Sequence, residues 1–184
     1  DEFMDINKLY SIALSDTYSD QEILDRFLES KLPETALGDI YKIASSIESP
    51  LAIRSSSLLE DSQYQPFAGI YNTYMIPFRK NDPERMFSMM QSAIKAVYAS
   101  AYYADSKAYM QATKNVIDEE KMAIVIQEVV GSSYGDKFYP TISGVGRSID
   151  YYPLEPGVPE DGTVSLAFGL GKYIVDGGLS LRFC

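Results

Sequence analysis

Pro50-Leu51-Ala52-Ile53-Arg54-Ser55-Ser56-Ser57-Leu58-Leu59-Glu60-Asp61 is the stretch on which the reading of this chain turns. Proline ends the helix before it, Leu51-Ala52-Ile53 starts a short apolar strand, and the serine cluster reads as the loop that the strand enters. A guanidinium at a strand end, beside hydroxyls and free backbone donors, suits a polyphosphate, because arginine bonds two oxygens at once with a planar fork. Arg54 is therefore the first candidate ligand, and the competing reading pairs it with Glu60 or Asp61 to order the loop. Ser55 to Ser57 either join Arg54 or cap the next turn.

Upstream, Ile23, Leu24, Phe27 and Leu28 follow the candidate caps Ser19 and Asp20 at helical spacing, which predicts a helix over 20–31 that ends near Pro33. A second helix is predicted from Glu34 to Ile47, with Leu37, Ile40, Tyr41, Ala44 and Ile47 as its apolar face and Ile43 at the edge. Downstream, Gly69 to Met75 alternates as a strand, Ile70, Asn72 and Tyr74 on one face and Tyr71, Thr73 and Met75 on the other. After Pro83 comes the longest periodic segment, where Met86, Met90, Ile94, Val97 and Tyr98 form one face and Lys95 stands outside it. Tyr102, Tyr103 and Tyr109 continue that helix or begin its successor, and at such spacing tyrosines serve the core.

From Met122 to Val130 the β-branched density predicts a strand buried on both faces, the central strand of the domain. Gly131 to Asp136 turns it into a hairpin with Phe138 to Val145. The proline- and acid-rich excursion Tyr152 to Gly162 is a surface loop, followed by the apolar run Val164 to Phe168. Strands and helices in mixed order predict an α+β fold, a mixed sheet with flanking helices.

Composition removes several function classes. The 184 residues carry a net charge of −10, which argues against a duplex-binding surface. No apolar run approaches the roughly 20 residues a membrane helix needs, and no basic-then-apolar leader is present. The expected partners thus exclude nucleic acid and membrane, and the simplest reading is a soluble cytoplasmic protein. The absence of histidine removes a Ser-His-Asp or Cys-His mechanism and a histidine-ligated zinc, and one cysteine, Cys184, builds no disulfide framework. The abrupt start Asp1-Glu2-Phe3-Met4 and the strand-like finish Leu181-Arg182-Phe183-Cys184 read as an excised domain of a longer protein.

Three segments together carry a resemblance. Pro50 to Asp61 followed by Phe67-Ala68-Gly69 and Thr73, Met122 to Val130 trailed by Ser143-Gly144-Val145, and Gly169-Leu170-Gly171-Lys172-Tyr173-Ile174-Val175-Asp176-Gly177 resemble, in order and spacing, the nucleotide-binding domain of the phosphoenolpyruvate synthase and pyruvate phosphate dikinase family. The likeness covers about residues 50 to 178, with 1–49 as the helical segment that precedes the arginine and 50–184 as a partial ATP-grasp-like core. It implies an ATP site in which Arg54 and Ser55 meet phosphate. Backbone at Gln127, Glu128 and Val130 meets adenine, with Glu128 either reaching the ribose or the exocyclic amine or facing solvent. Gly169 and Gly171 let the chain approach the ligand. Relatives place a metal-holding glutamate where this chain has Lys172, so Asp176, or alternatively Glu60 or Asp61, is the nominee for Mg2+, and Arg182 a substitute phosphate ligand. In the family, ATP phosphorylates a histidine on a separate swivelling domain and then pyruvate on another. Those two domains of the parent protein are the implied partners. The alternatives are a degenerate, non-catalytic nucleotide-binding or regulatory module, favoured by Lys172, and a structural interaction domain.

Overall fold

A capping box starts the first long helix: Ser19 Oγ accepts from Glu22 N at 3.3 Å while Glu22 Oε2 accepts from Ser19 N at 2.8 Å. The bond from the Ser19 N–H first, and then Ser19 Oγ donating to the same oxygen at 2.7 Å, hold the Glu22 carboxyl below its ordinary pKa. The computed structural model describes residues 2–57, 71–113, 122–153, 155–171, 174 and 180–184. These fall into two compact units, Asp1–Glu128 and Val129–Cys184.

The first unit runs α1 (Glu2–Ile6), α2 (Tyr10–Ala13), α3 (Asp20–Glu29), α4 (Glu34–Ser46), β1 (Leu51–Ser57), β2 (Tyr74–Ile76), α5 (Pro83–Ser100), α6 (Ala104–Thr113) and β3 (Met122–Glu128). Asp82 caps α5 by accepting from Arg85 N at 3.0 Å, and Pro83 occupies its first turn, where its missing N–H costs nothing. Buried Met86, Met90, Ile94 and Val97 follow the predicted period, and Ala93, Ala96 and Ala99 join them. The stripe is wider than expected because α5 packs on all three strands and on α3 and α4 as well. Lys95 lies outside it, as expected, and its ammonium donates to Leu28 O near the end of α3 at 3.1 Å. The chain breaks at Ala101 to Tyr103, so α6 is a successor helix.

Fully buried Phe27 anchors the core, its ring 5.9 Å from Phe3 and 5.8 Å from Tyr102 between centroids. Tyr98 meets Phe3 at 5.6 Å and donates its hydroxyl to Met122 O at 3.3 Å, tying α5 to β3. The tyrosines thus pack as core residues. Tyr41 departs from its predicted place on the apolar face of α4: it is 40% exposed, packs edge-on to Phe87 and bonds Glu84 at 3.1 Å. Asn7 joins α1 to the segment after α3 through both ends of its amide, donating to Phe3 O and Lys31 O at 2.8 Å each and accepting from Lys31 N at 3.0 Å.

The sheet order is β2-β1-β3, and every described strand pair is antiparallel rather than part of the expected mixed sheet, with Ile53 opposite Tyr74 on one side and Ile126 on the other. Two expectations are corrected. β1, not β3, lies centrally, and β3 is buried on one face only: Met122, Ile124 and Ile126 turn inward while Ala123, Val125 and Gln127 turn out. A β-branched run is equally compatible with a strand that has one covered face, and the helices of this unit cover one side. The serine cluster is also no loop, because β1 continues through Ser57 and pairs all seven residues with β3. Of the strand expected at 69–75, Tyr74 and Met75 belong to β2, whereas Gly69 and Ile70 lie outside the described residues.

The hairpin expected between Met122–Val130 and Phe138–Val145 is corrected: β3 pairs with β1, and the predicted loop 131–136 itself supplies β4 (Ser132–Tyr134), which pairs with β5 (Lys137–Tyr139) across a turn at Gly135 with φ +65°. Pro140, which has no N–H to give a ladder, splits the predicted strand, and β6 (Ile142–Arg147) starts after it. β6 pairs with β7 (Thr163–Phe168), and β7 with β8 (Leu181–Phe183). The excursion between β6 and β7 is the expected surface loop, closed by Asp150 N donating to Pro159 O at 2.8 Å. No described helix is long and apolar enough to cross a membrane.

Candidate functional site

Strand alternation decides which side chains of β1 can act together. Leu51, Ile53, Ser55 and Ser57 point into the core, so the Ser55 hydroxyl, 4% exposed and opposite Ile124, faces the helices. Arg54 points the other way, onto an outer sheet face shared with its cross-strand neighbour Val125, with Ala52, and with Gln127 and Met75 opposite Ala52. Arg54 therefore shares a face with Gln127 and not with Ser55. The hydroxyl on its own side is Ser56, two positions along, about 7 Å away by strand rise.

Arg54 is exposed, and no described residue gives it a hydrogen-bond or ion-pair partner. Among the described residues none takes up its five donors, and the partly apolar face offers a planar ligand Met75 and Val125, 48% and 37% exposed. The competing partners, Glu60 and Asp61, lie outside the described residues, as do Lys172 and Asp176. Among the described residues no group of three acidic, cysteine or histidine side chains could hold a metal.

At the end of β3, Glu128 lies opposite Leu51, and its Oε2 accepts from Ser49 Oγ at 2.6 Å, which leaves Oε1 open. Val130 follows, 84% exposed, and the chain passes from the first unit to the second between Glu128 and Val129. Gly131, which the motif reading passed over, is set against the next hairpin: a Cβ there would lie 2.6 Å from Tyr139 C and 2.8 Å from Pro140 N.

In the second unit Gly169 has φ +78°, a left-handed conformation that other residues resist. Its N–H donates to Thr141 O at 3.1 Å and its carbonyl accepts from Ser143 Oγ at 2.7 Å. A Cβ on Gly171 would come within 3.2 Å of Ser143 Cβ. Ser143 of the second sequence segment thus organises the Gly169–Gly171 turn of the third.

Arg182 is not available as a substitute phosphate ligand. It forms an ion pair with Asp150, and its Nε donates to Thr163 Oγ1 at 3.1 Å. Asp150 is almost fully buried, accepting also from Tyr152 N at 2.9 Å and from Cys184 Sγ. These donors, the Tyr152 backbone first, hold its carboxyl below the ordinary value against the opposing cost of burial. The aspartate bonding the backbone two residues on is an Asx turn, a signal that Asp150-Tyr151-Tyr152 carried in the sequence. Its arginine partner, 32 residues away, left none.

Comparison with known proteins bears on this arrangement. The model of a family described as the pyruvate phosphate dikinase AMP/ATP-binding domain matches residues 6–181. An uncharacterised phosphotransferase, YvkC, of Bacillus subtilis (strain 168) is 27% identical over 187 residues, 97% of this chain and 19% of that protein. The chain therefore spans about a fifth of the length of that relative.

Proposed function

Since the chain belongs to the pyruvate phosphate dikinase AMP/ATP-binding domain family, we propose that it is the ATP-holding portion of a phosphotransferase, with Arg54 as the ligand of the polyphosphate. The observation that carries the reading is the guanidinium of Arg54, exposed on the outer face of the β2-β1-β3 sheet and without a partner among the described residues. A buried structural arginine would be paired, since an unpaired cation in the interior is costly. An exposed arginine with no partner among the described residues is suited to an anionic ligand.

In this reading Arg54 bonds two phosphate oxygens, and Gln127, on the same face, lies at the start of the segment through Val130 whose backbone meets adenine. Gly169 and Gly171 let backbone approach the ligand, and Lys172 supplies positive charge where relatives are expected to carry a carboxylate. Ser55 contributes packing, because its hydroxyl faces the core. Mg2+, with Asp176 as its nominated ligand, would neutralise charge on the phosphates. Binding, orientation and charge stabilisation are what phosphoryl transfer chiefly asks of a protein. The family's acceptor histidine is absent from these 184 residues, so residues 1–184 bind without turnover, and the phosphohistidine and pyruvate steps belong to other parts of the parent. The second reading, a non-catalytic nucleotide-binding or regulatory module, rests on Lys172 and predicts ATP binding that magnesium does not strengthen.

Isothermal titration of ATP, with and without magnesium, into the chain, its Arg54→Ala variant and the full-length parent protein tests both readings. Binding weakened in the variant supports the phosphate role. Equal binding by both proteins removes Arg54 from the site, and no binding by the parent protein removes the nucleotide.

A further inference from the structure

The first residue of the turn after β7 is held at both of its backbone groups. Gly169 N donates to Thr141 O at 3.1 Å, and Gly169 O accepts from Ser143 Oγ at 2.7 Å. A trans peptide is planar, so its C=O and N–H point in opposite directions. The Gly169–Leu170 peptide is trans and its carbonyl is aimed at Ser143, which aims the Leu170 N–H away from β6. Neither the Leu170 N–H nor the Gly171 N–H has an acceptor among the described residues. Consecutive backbone N–H groups beside a residue of left-handed φ, here +78° at Gly169, are the elements of an anion-binding concavity. The two glycines differ in their surroundings. No described atom lies within 4 Å of the place a Cβ on Gly169 would take, whereas one on Gly171 would meet Ser143 Cβ at 3.2 Å. Gly169 thus leaves open space at the turn, and Gly171 lets the turn lie close on the serine.

We propose that, within the ATP-holding reading on which this rests, Ser143 is a positioning residue for phosphate: through the Gly169 carbonyl it presents the Leu170 and Gly171 N–H groups to the phosphate chain of the bound nucleotide. Phosphate oxygens only accept, so each needs a donor, and a bond to a charged oxygen is stronger than a neutral one. The Ser143 hydroxyl proton is already given to Gly169 O, so the serine acts on the ligand through the turn and not by donating to it. A serine that merely capped a carbonyl for stability would account for the Gly169 bonds, but it would give the two N–H groups beyond them no part in binding.

The test uses the full-length parent protein and its Ser143→Ala and Ser143→Thr variants, with ATP and adenosine as probes. Ser143→Ala is expected to weaken ATP binding about 3- to 10-fold, the range of one hydrogen bond, and to leave adenosine, which has no phosphate, bound as before. Ser143→Thr keeps the hydroxyl and should restore ATP affinity. Residue-resolved amide exchange, read by mass spectrometry, should show ATP slowing Leu170 and Gly171 in the unsubstituted protein, adenosine failing to do so, and Ser143→Ala losing most of the effect. Four results would each overturn the proposal while ATP binding stands: unchanged ATP affinity in Ser143→Ala, equal losses for ATP and adenosine, a loss in Ser143→Thr as large as in Ser143→Ala, or exchange at Leu170 and Gly171 that ATP leaves as it was. ATP bound by none of the three proteins would overturn the ATP-holding reading as well.

Discussion

Arg54 and Ser55 are consecutive residues of β1 that face opposite sides of the sheet, Arg54 toward solvent and Ser55 toward the helices at 4% exposure. Their substitutions should therefore separate binding from stability. Arg54→Ala is expected to weaken ATP binding about 10- to 100-fold, the range of a lost charge-assisted bond, with thermal stability almost unchanged. Ser55→Leu should do the reverse: overpacking against Ile124 costs about 1–3 kcal/mol, read by urea unfolding. A variant pair that shifts both quantities together would contradict the alternation.

Phe27→Ala is expected to cost about 3–5 kcal/mol, because the ring is fully buried between Phe3 and Tyr102 and the cavity cannot close by small shifts. The denaturation midpoint measures this. A loss below about 1 kcal/mol would mean that α3 does not pack as described.

Glycine substitutions in the second unit should divide by what surrounds them. Gly131→Ala drives a methyl into the Tyr139–Pro140 backbone, and Gly169→Ala forces φ +78° on an alanine, so both should destabilise by at least about 1 kcal/mol. Gly146→Ala, whose nearest neighbour would be Val164 Cγ2 at 3.7 Å, is the tolerated control. Circular dichroism melts of the three variants rank them.

Acid should loosen the end of the second unit through Asp150. Its folded pKa is depressed, chiefly by the Tyr152 backbone N–H and further by Arg182, so its stabilising effect is whole above the unfolded value of about 3.9 and fades as pH falls through the lower folded value. Amide protection in β8, corrected for the intrinsic pH dependence of exchange, should fall from about pH 4 downward. Asp150→Asn, which already lacks the charge, should exchange faster at pH 7 and lose most of that acid response. An unchanged response in the variant would assign it to another carboxylate.

Much of this fold is legible in the residues themselves, and what is not legible has identifiable causes. α3 and α5 follow from Ser19 with Glu22 and from Asp82, Pro83, Met86 and Met90, because capping and helical period are local properties. The place of β3 in its sheet is not local. Ile124 and Val125 are equally apolar, and only the helices decide which is covered. Ser55 to Ser57 carry the composition of a turn, yet cross-strand pairing with Ile124, Ala123 and Met122 overrides that preference. At the site, Arg54 is readable as a cation beside hydroxyls, whereas its separation from Ser55 requires knowing that the strand does not stop at Ile53. The pairing of Arg182 with Asp150 depends on strand register across the 32 intervening residues.

Asn7 gives the first unit a particular way of ageing. Its amide nitrogen donates to two carbonyl oxygens, Phe3 O and Lys31 O, and its amide oxygen accepts from Lys31 N. Spontaneous deamidation would turn the donating end into a carboxylate oxygen facing those two carbonyls, converting two attractions into repulsions without removing an atom of the core. Deamidation of this one half-buried amide would thus strip the polar ties between α1 and the turn after α3 and leave the packing of Phe3 on Phe27 to hold it.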